Sequence, residues 1–232
     1  MTEGKSIVND EVELVCSLVP LEGAKVLELG CGNADFTRKL LASTGVKGVT
    51  ALEVDRIQHR LNLDSLKDSR LTFGYGAAEW IPFDDKIFDG VIMMKSLHHV
   101  PVESMHRAFA EIHRVLKPGG WLYISEPEFA GSLNEITSLF HDERAVRAAA
   151  YEAIRRATRE GLMREESEHH FDMPVHYAGF EDFVSRHVEV THSTKNYTPD
   201  IASEVRRRFD AHLTPRGADF MKPMRVNVLR RI

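Results

Sequence analysis

Cysteine is nearly absent from this 232-residue sequence: only Cys16 and Cys31 occur, with no spacing that suits a metal. That excludes a disulfide framework and fits a reducing compartment. Long apolar runs are missing too. No stretch approaches the ~20 residues of a membrane-spanning helix, and the first residues lack the apolar core of a secretory leader. The expectation is a cytoplasmic protein. Charge of one sign is not in excess either. Thirty Lys and Arg against 35 Asp and Glu leave a formal −5, which gives no general attraction to nucleic acid. No repeat or low-complexity segment interrupts the chain. What remains is a length that can bury one large domain, with or without an insertion.

A complete phosphate-binding turn is lacking as well. Val26 to Thr37 reads VLELGCGNADFT: an apolar strand, a glycine turn, then a helix from Asp35. The dinucleotide pattern needs G-x-G-x-x-G, and here Gly30 and Gly32 are followed by Ala34. Glu28 stands just before the first glycine. Its carboxylate would repel a pyrophosphate at the helix N-terminus and attract a cation. The turn therefore suits a nucleoside that carries positive charge and no phosphate, although an ordinary strand-to-helix turn with a solvated glutamate accounts for the same window. A nicotinamide-dependent oxidoreductase is disfavoured on the same grounds.

Residues Asn9 to Val19 place Val12, Leu14, Val15 and Leu18 near helical spacing. A second strand, Val46 to Val54, ends in Glu53, which lies 21 positions after Gly32. An acidic residue about 20 positions beyond such a turn accepts hydrogen bonds from ribose hydroxyls. Asp55 competes for that role but better caps a helix from Arg56. Further strands are expected over Leu71–Tyr75, Gly90–Met94 and Trp121–Ser125, the last preceded by a tight turn at Lys117–Gly120. Strands that alternate with helices indicate a mainly parallel sheet with helices on both faces.

Four blocks in order resemble the class I S-adenosylmethionine-dependent methyltransferases, in the branch of the ubiquinone/menaquinone-biosynthesis enzymes: VLELGCGNA, the acidic strand end at Glu53, IPFDDKIFDGVIMMKSLHHV and EIHRVLKPGGWLYISEP. The resemblance covers about Ala24 to Glu128. It implies a Rossmann-like α/β fold with a seven-stranded mixed sheet, helices on both faces and a helical substrate cover inserted after strand five. It also implies S-adenosylmethionine as cofactor and S-adenosylhomocysteine as product. Glu28, Gly30, Cys31 and Gly32 would shape the methionyl pocket, and Glu53 with Val54 would face the ribose. Ala77, Ala78 and Glu79 would border the adenine, while Met94 and Leu97 would line the pocket after strand four. Two positions depart from the family pattern. Ala34 replaces a third glycine, and Ala77 replaces an Asp that accepts from the adenine amino group.

Beyond Phe129 the resemblance fades. Two helices are expected at Leu133–Phe140 and Arg144–Arg159, an irregular histidine-rich stretch at Glu168–Tyr177, and a short helix over Phe180–Phe183. An alternating strand over Val188–Tyr197, a helix capped by Thr198-Pro199 and a last strand over Met224–Leu229 follow. The expected organisation is one domain, with a core of about 20–128 and 180–232 and a cover of about 129–179. Methyl transfer needs in-line positioning, and a base only for a protonated, weakly acidic acceptor. The catalytic candidates are His98 and Glu126, and the substrate-side candidates are His99, His169, His170 and His176. No metal is expected, because adjacent His169 and His170 diverge on an extended backbone. The function this implies is methylation of a small molecule by a monomer or homodimer, without DNA. Methylation of RNA, served by the late arginines, and a non-catalytic cofactor-binding regulator are the alternatives.

Overall fold

The computed structural model of the chain describes residues 6–65, 68–188 and 196–232. In chain order its first elements are β1 (Ser6–Ile7), α1 (Glu11–Leu18), β2 (Lys25–Leu29), α2 (Asp35–Ser43), β3 (Gly48–Glu53), α3 (Arg56–Leu63) and β4 (Leu71–Tyr75). There follow β5 (Phe88–Met94), α4 (Met105–Val115), β6 (Leu116–Pro127), α5 (Ser132–Thr137) and α6 (Arg144–Arg159). The last are β7 (Met163–Tyr177), α7 (Phe180–His187), α8 (Pro199–Asp210), β8 (Leu213–Thr214) and β9 (Gly217–Arg231). The chain packs as two compact units.

The larger unit comprises Asp10–Glu126, Ala148–His169 and Arg225–Ile232. Its central strand β2 pairs in parallel with β3 on one side and β5 on the other; β4 continues beyond β3, and β6 beyond β5. The β2 residues Val26, Leu27 and Leu29 are buried, as a parallel strand covered on both faces requires. Helix α4 buries Met105, Ala108, Phe109, Ile112 and Val115, one stripe at helical spacing. That stripe joins Leu27, Val91, Leu122 and Ile124 in the core, together with Ala150, Ile154 and Ala157 of α6.

The smaller unit comprises Met1–Asn9, Pro127–Arg147 and His170–Met224. Its core is aromatic: Phe140, Tyr177, Phe183, Phe209 and Phe220 pack with Leu133, Ile136, Val205 and Ala218. Here β1 pairs in parallel with β7 at Ser6↔Phe171, and β8 forms a hairpin with β9.

The α/β class and the mixed sheet stand as expected, and α1, α3, α5, α6 and α8 form where the sequence places helices. Several details differ. Nine strands occur among the described residues, not seven. The stretch Glu168–Tyr177 is strand within β7; it reads as irregular because half of its side chains are polar and Pro174 interrupts it, while backbone pairing holds it. Lys117–Gly120, expected as a tight turn, lies within β6, where the register against β5 shifts between Phe88 and Gly90. The last strand begins at Gly217. The strand expected at Val188–Tyr197 falls largely on residues outside the described ones, and Val188 itself caps α7. Residues 129–179 are shared between the two units.

Candidate active site

The carboxyl ends of β2, β3, β5 and β6 converge in the larger unit, the end at which open α/β sheets bind ligands. Past β2 the chain turns at Gly30, whose N–H and that of Cys31 both donate to the Leu52 carbonyl at 3.0 Å. Gly30 has φ +73°, and a Cβ there would stand 2.7 Å from the Ser96 Cβ. Only glycine satisfies both constraints. Ser96 in turn donates from Oγ to the Leu29 carbonyl at 2.7 Å, which locks the turn after β5 onto the turn after β2. At Gly32 the conformation is also left-handed, but a Cβ would meet open space. Ala34, where a third glycine was expected, is left-handed as well at φ 61° and packs buried against Cys31 and Ala51.

Two buried carboxyls flank this turn. Glu28 is 2% exposed and accepts from the Thr37 hydroxyl of α2. Burial pushes its pKa up to about 7, the Thr37 bond opposes the shift, and the Glu53 charge adds to it. Burial, with both glutamates nearby, also pushes the Cys31 thiol up, so Cys31 is a small apolar wall and no nucleophile at neutral pH. Glu53 accepts from Gly32 N at 2.7 Å and from Val54 N and Asp55 N at 2.8 Å. A carboxylate offers about four acceptor directions, so one direction stays open once these three are filled. Asp55 caps α3 as expected, accepting from Ile57 N and Gln58 N.

Sequence reasoning missed Asn62. It is the one buried residue of α3, and its amide donates to the Gly32 carbonyl at 2.7 Å while accepting from Gln58 at 3.0 Å. The Gly32 peptide is thus held by Glu53 at its N–H and by Asn62 at its carbonyl. The available signal was a polar residue where an amphipathic helix should turn an apolar one inward. Thr37 and Ser96 gave no comparable signal.

Ala77 pairs with Trp80 through two backbone hydrogen bonds of 3.3 and 3.0 Å. That tight loop buries Ala78, leaves Glu79 half-buried, and exposes Trp80 by 51%. Val54 is 56% exposed at the end of β3. After β5, Met94 is half-buried and Leu97 fully buried.

Both catalytic candidates meet. His98 Nδ1 bonds Glu126 Oε2, and the other carboxylate oxygen, Oε1, accepts from Leu97 N at 2.8 Å. His98 and Glu126 are 5% and 2% exposed. With Nδ1–H donating to the carboxylate, Nε2 is the nitrogen that carries the lone pair. His99 is exposed, with its ring 4.1 Å from that of His98. Beneath this turn, buried Glu11 of α1 joins Lys95 and accepts from Ser125 Oγ, a link with no sequence signal. The late histidines do not form one cluster. His169 is half-buried in the larger unit. In the smaller unit, His170 bonds Glu128 at 2.6 Å and His176 bonds Asp219 at 2.8 Å.

Residues 27–124 match the family described as "Methyltransferase domain". This stretch is similar to the class I S-adenosylmethionine-dependent methyltransferases. A demethylmenaquinone methyltransferase of Staphylococcus epidermidis is 38% identical over 109 residues, covering 45% of this chain and 44% of its own. The 27-O-demethylrifamycin SV methyltransferase of Amycolatopsis mediterranei is 32% identical over 117 residues, covering 48% and 42%. The chain thus spans less than half the length of these curated relatives. A solved structure of a candidate methyltransferase from Bacillus halodurans superposes with a TM-score of 0.66 at 18% identity, over 95% of this chain and 98% of that one; at that identity it speaks for the fold alone.

S-Adenosylmethionine is the cofactor of this family, and the methyltransferase domain fits it. The open side of Gly32 and the buried Glu28 carboxyl suit a cation without phosphate. The late arginines form no open basic face. Arg206 pairs with Asp210, and Arg207 and Arg208 share Glu204, whose carboxyl they hold at about 2. Arg230 pairs with Glu166. RNA methylation required such a face, so that alternative loses its support. Among the described residues, no helix is long and apolar enough to cross a membrane.

Proposed function

We propose that the chain transfers a methyl group from S-adenosylmethionine to a heteroatom of a small molecule, with His98 as the base that takes the acceptor's proton. The buried His98–Glu126 pair carries this reading. A buried imidazole held by a carboxylate keeps one tautomer and one orientation, and the carboxylate stabilises the imidazolium once the proton arrives. Bound S-adenosylmethionine supplies an electrophilic methyl group on a sulfonium sulfur. Glu28, Gly30, Cys31 and Gly32 hold the methionyl end, and Glu53 with Val54 receives the ribose. Ala77, Ala78 and Glu79 border the adenine, and Met94 and Leu97 close the pocket floor. The two curated relatives, named for small-molecule substrates, support a small-molecule acceptor here. His99 contributes on the acceptor side.

The test screens hydroxyl- and amine-bearing small molecules with methyl-labelled cofactor, then compares His98→Gln and Glu126→Gln with wild type. Transfer should fall by about 10²–10⁴-fold in His98→Gln, and by less in Glu126→Gln, where the imidazole remains. Cofactor affinity, measured by calorimetry, should stay within about threefold, since neither substitution removes a group assigned to the cofactor. Transfer by His98→Gln at the wild-type rate would rule out the base.

A further inference from the structure

Trp80 is the tryptophan that the core leaves out. The chain has two; Trp121 is buried in β6, while Trp80 is 51% exposed. Among the described residues no ring, cation or side-chain hydrogen bond engages its indole. A single exposed apolar residue needs no explanation by itself. What sets Trp80 apart is how firmly its backbone is held. Its N–H donates to the Ala77 carbonyl at 3.0 Å, and its carbonyl accepts from the Ala77 N–H at 3.3 Å. Next along the chain, the Ile81 N–H donates to Glu111 of α4 at 3.0 Å, and the Ile81 carbonyl accepts from Arg114 at 2.9 Å. At the start of the loop, the Gly76 N–H donates to the Glu53 carbonyl at 3.3 Å. An indole that meets solvent from a loop pinned at both ends is a preformed platform, and little further ordering is needed when a ligand covers it.

The sheet indicates what covers it. Strands β2, β3 and β4 lie side by side in that order. A nucleoside ligand that starts at the glycine turn after β2 and offers its hydroxyls to Glu53 at the end of β3 reaches the end of β4 next, where the loop of Trp80 begins. Ala77 and Trp80 form an antiparallel bridge, and residues paired in that way project their side chains from the same face. The indole therefore rises from the face that carries the Ala77 methyl. That methyl gives the edge of a base no acceptor. The flat face of an indole holds a base of any kind by stacking.

We propose that Trp80 is the stacking platform for the adenine of S-adenosylmethionine. The inference rests on the cofactor reading above and adds a residue to it; it does not depend on His98 as the base. Calorimetry and tryptophan fluorescence of the full chain, titrated with S-adenosylhomocysteine, are the test. Wild type should bind with quenching of its emission, because Trp121 is enclosed in the core and Trp80 is open to the ligand. Trp80→Ala should bind roughly tenfold or more weakly, with its thermal melt unchanged, since the side chain removed is half exposed. Trp80→Phe keeps a ring face and should recover affinity to within about threefold of wild type, while the quench disappears. Full affinity in Trp80→Ala overturns the proposal and leaves the cofactor reading intact. A Phe variant that binds no better than the Ala variant also overturns it, and so does a quench as large in Trp80→Phe as in wild type. A folded wild-type chain that does not bind S-adenosylhomocysteine overturns the cofactor reading and this inference together.

Discussion

A carboxyl group buried at Glu28 opposes folding once it ionises, because ionisation removes a charge from water with only the Thr37 hydroxyl to answer it. Its pKa is raised from 4.5 to about 7 in the folded chain. The folded state therefore holds the proton more tightly than the unfolded state. The stabilisation this gives is complete below about pH 4.5 and is lost as pH rises through about 7. A shift of that size corresponds to about 3 kcal/mol. Glu28→Gln keeps the acceptor for Thr37 and removes the charge. Chemical denaturation near pH 8 should find the variant more stable by up to about 3 kcal/mol, with little difference near pH 4. Calorimetry should find S-adenosylmethionine bound about tenfold or more weakly, because a partnered charge is worth about 1.5–3 kcal/mol. Wild-type affinity should itself rise with pH up to about 7 and then level, as binding of a cation releases the Glu28 proton. A variant no more stable than wild type near pH 8 would show that the buried charge costs nothing.

At the scale of elements, α3 shows why a hydrophobic pattern reads a helix correctly and its faces wrongly. The cap at Asp55 and the start at Arg56 followed from local chemistry that a sequence displays. The inward turn of Asn62 did not, because it depends on a carbonyl at Gly32, thirty residues earlier. The same contrast runs through the site. Glu28, Gly30, Gly32 and Glu53 could be read because strand ends and glycine spacing are local. The joining of His98 to Glu126 depends on the parallel register of β5 with β6, and β7 was missed because a strand held by backbone pairing can carry polar side chains on most positions. Asn62→Leu separates pattern from geometry. Leucine restores an apolar inward face at similar volume and leaves the Gly32 carbonyl with only the weak Cys31 thiol donor at 3.6 Å. Losing the stronger partner at a part-buried acceptor costs at most about 1–3 kcal/mol, against about 1.5–3 kcal/mol for fully burying a leucine side chain. Stability should therefore change little. Cofactor affinity should fall several-fold, because the Gly32 peptide is then held firmly on one side only. A variant with unchanged affinity would remove Asn62 from the site.

For the whole molecule, the two units place different demands on their cores. The residues assigned to the cofactor, from Glu28 to Leu97, all belong to the larger unit, which has its own aliphatic core around Leu27, Val91 and Ile112. The smaller unit is held by rings. Phe183 is fully buried there and lies within 5.1–6.3 Å, centroid to centroid, of Phe140, Tyr177, Phe180 and Phe209. Phe183→Ala removes the hub of that cluster, and a buried Phe→Ala change costs about 3–5 kcal/mol. Units with separate cores can lose stability separately. Hydrogen exchange should therefore accelerate across α7, α8 and β8 of Phe183→Ala while the amides of β2, β3 and β5 keep their protection. Affinity for S-adenosylmethionine at 25 °C should stay within about threefold of wild type, since no group that holds the cofactor is touched. Equal loss of protection in both units, with loss of cofactor binding, would instead mean that the chain unfolds as one cooperative body despite its two cores.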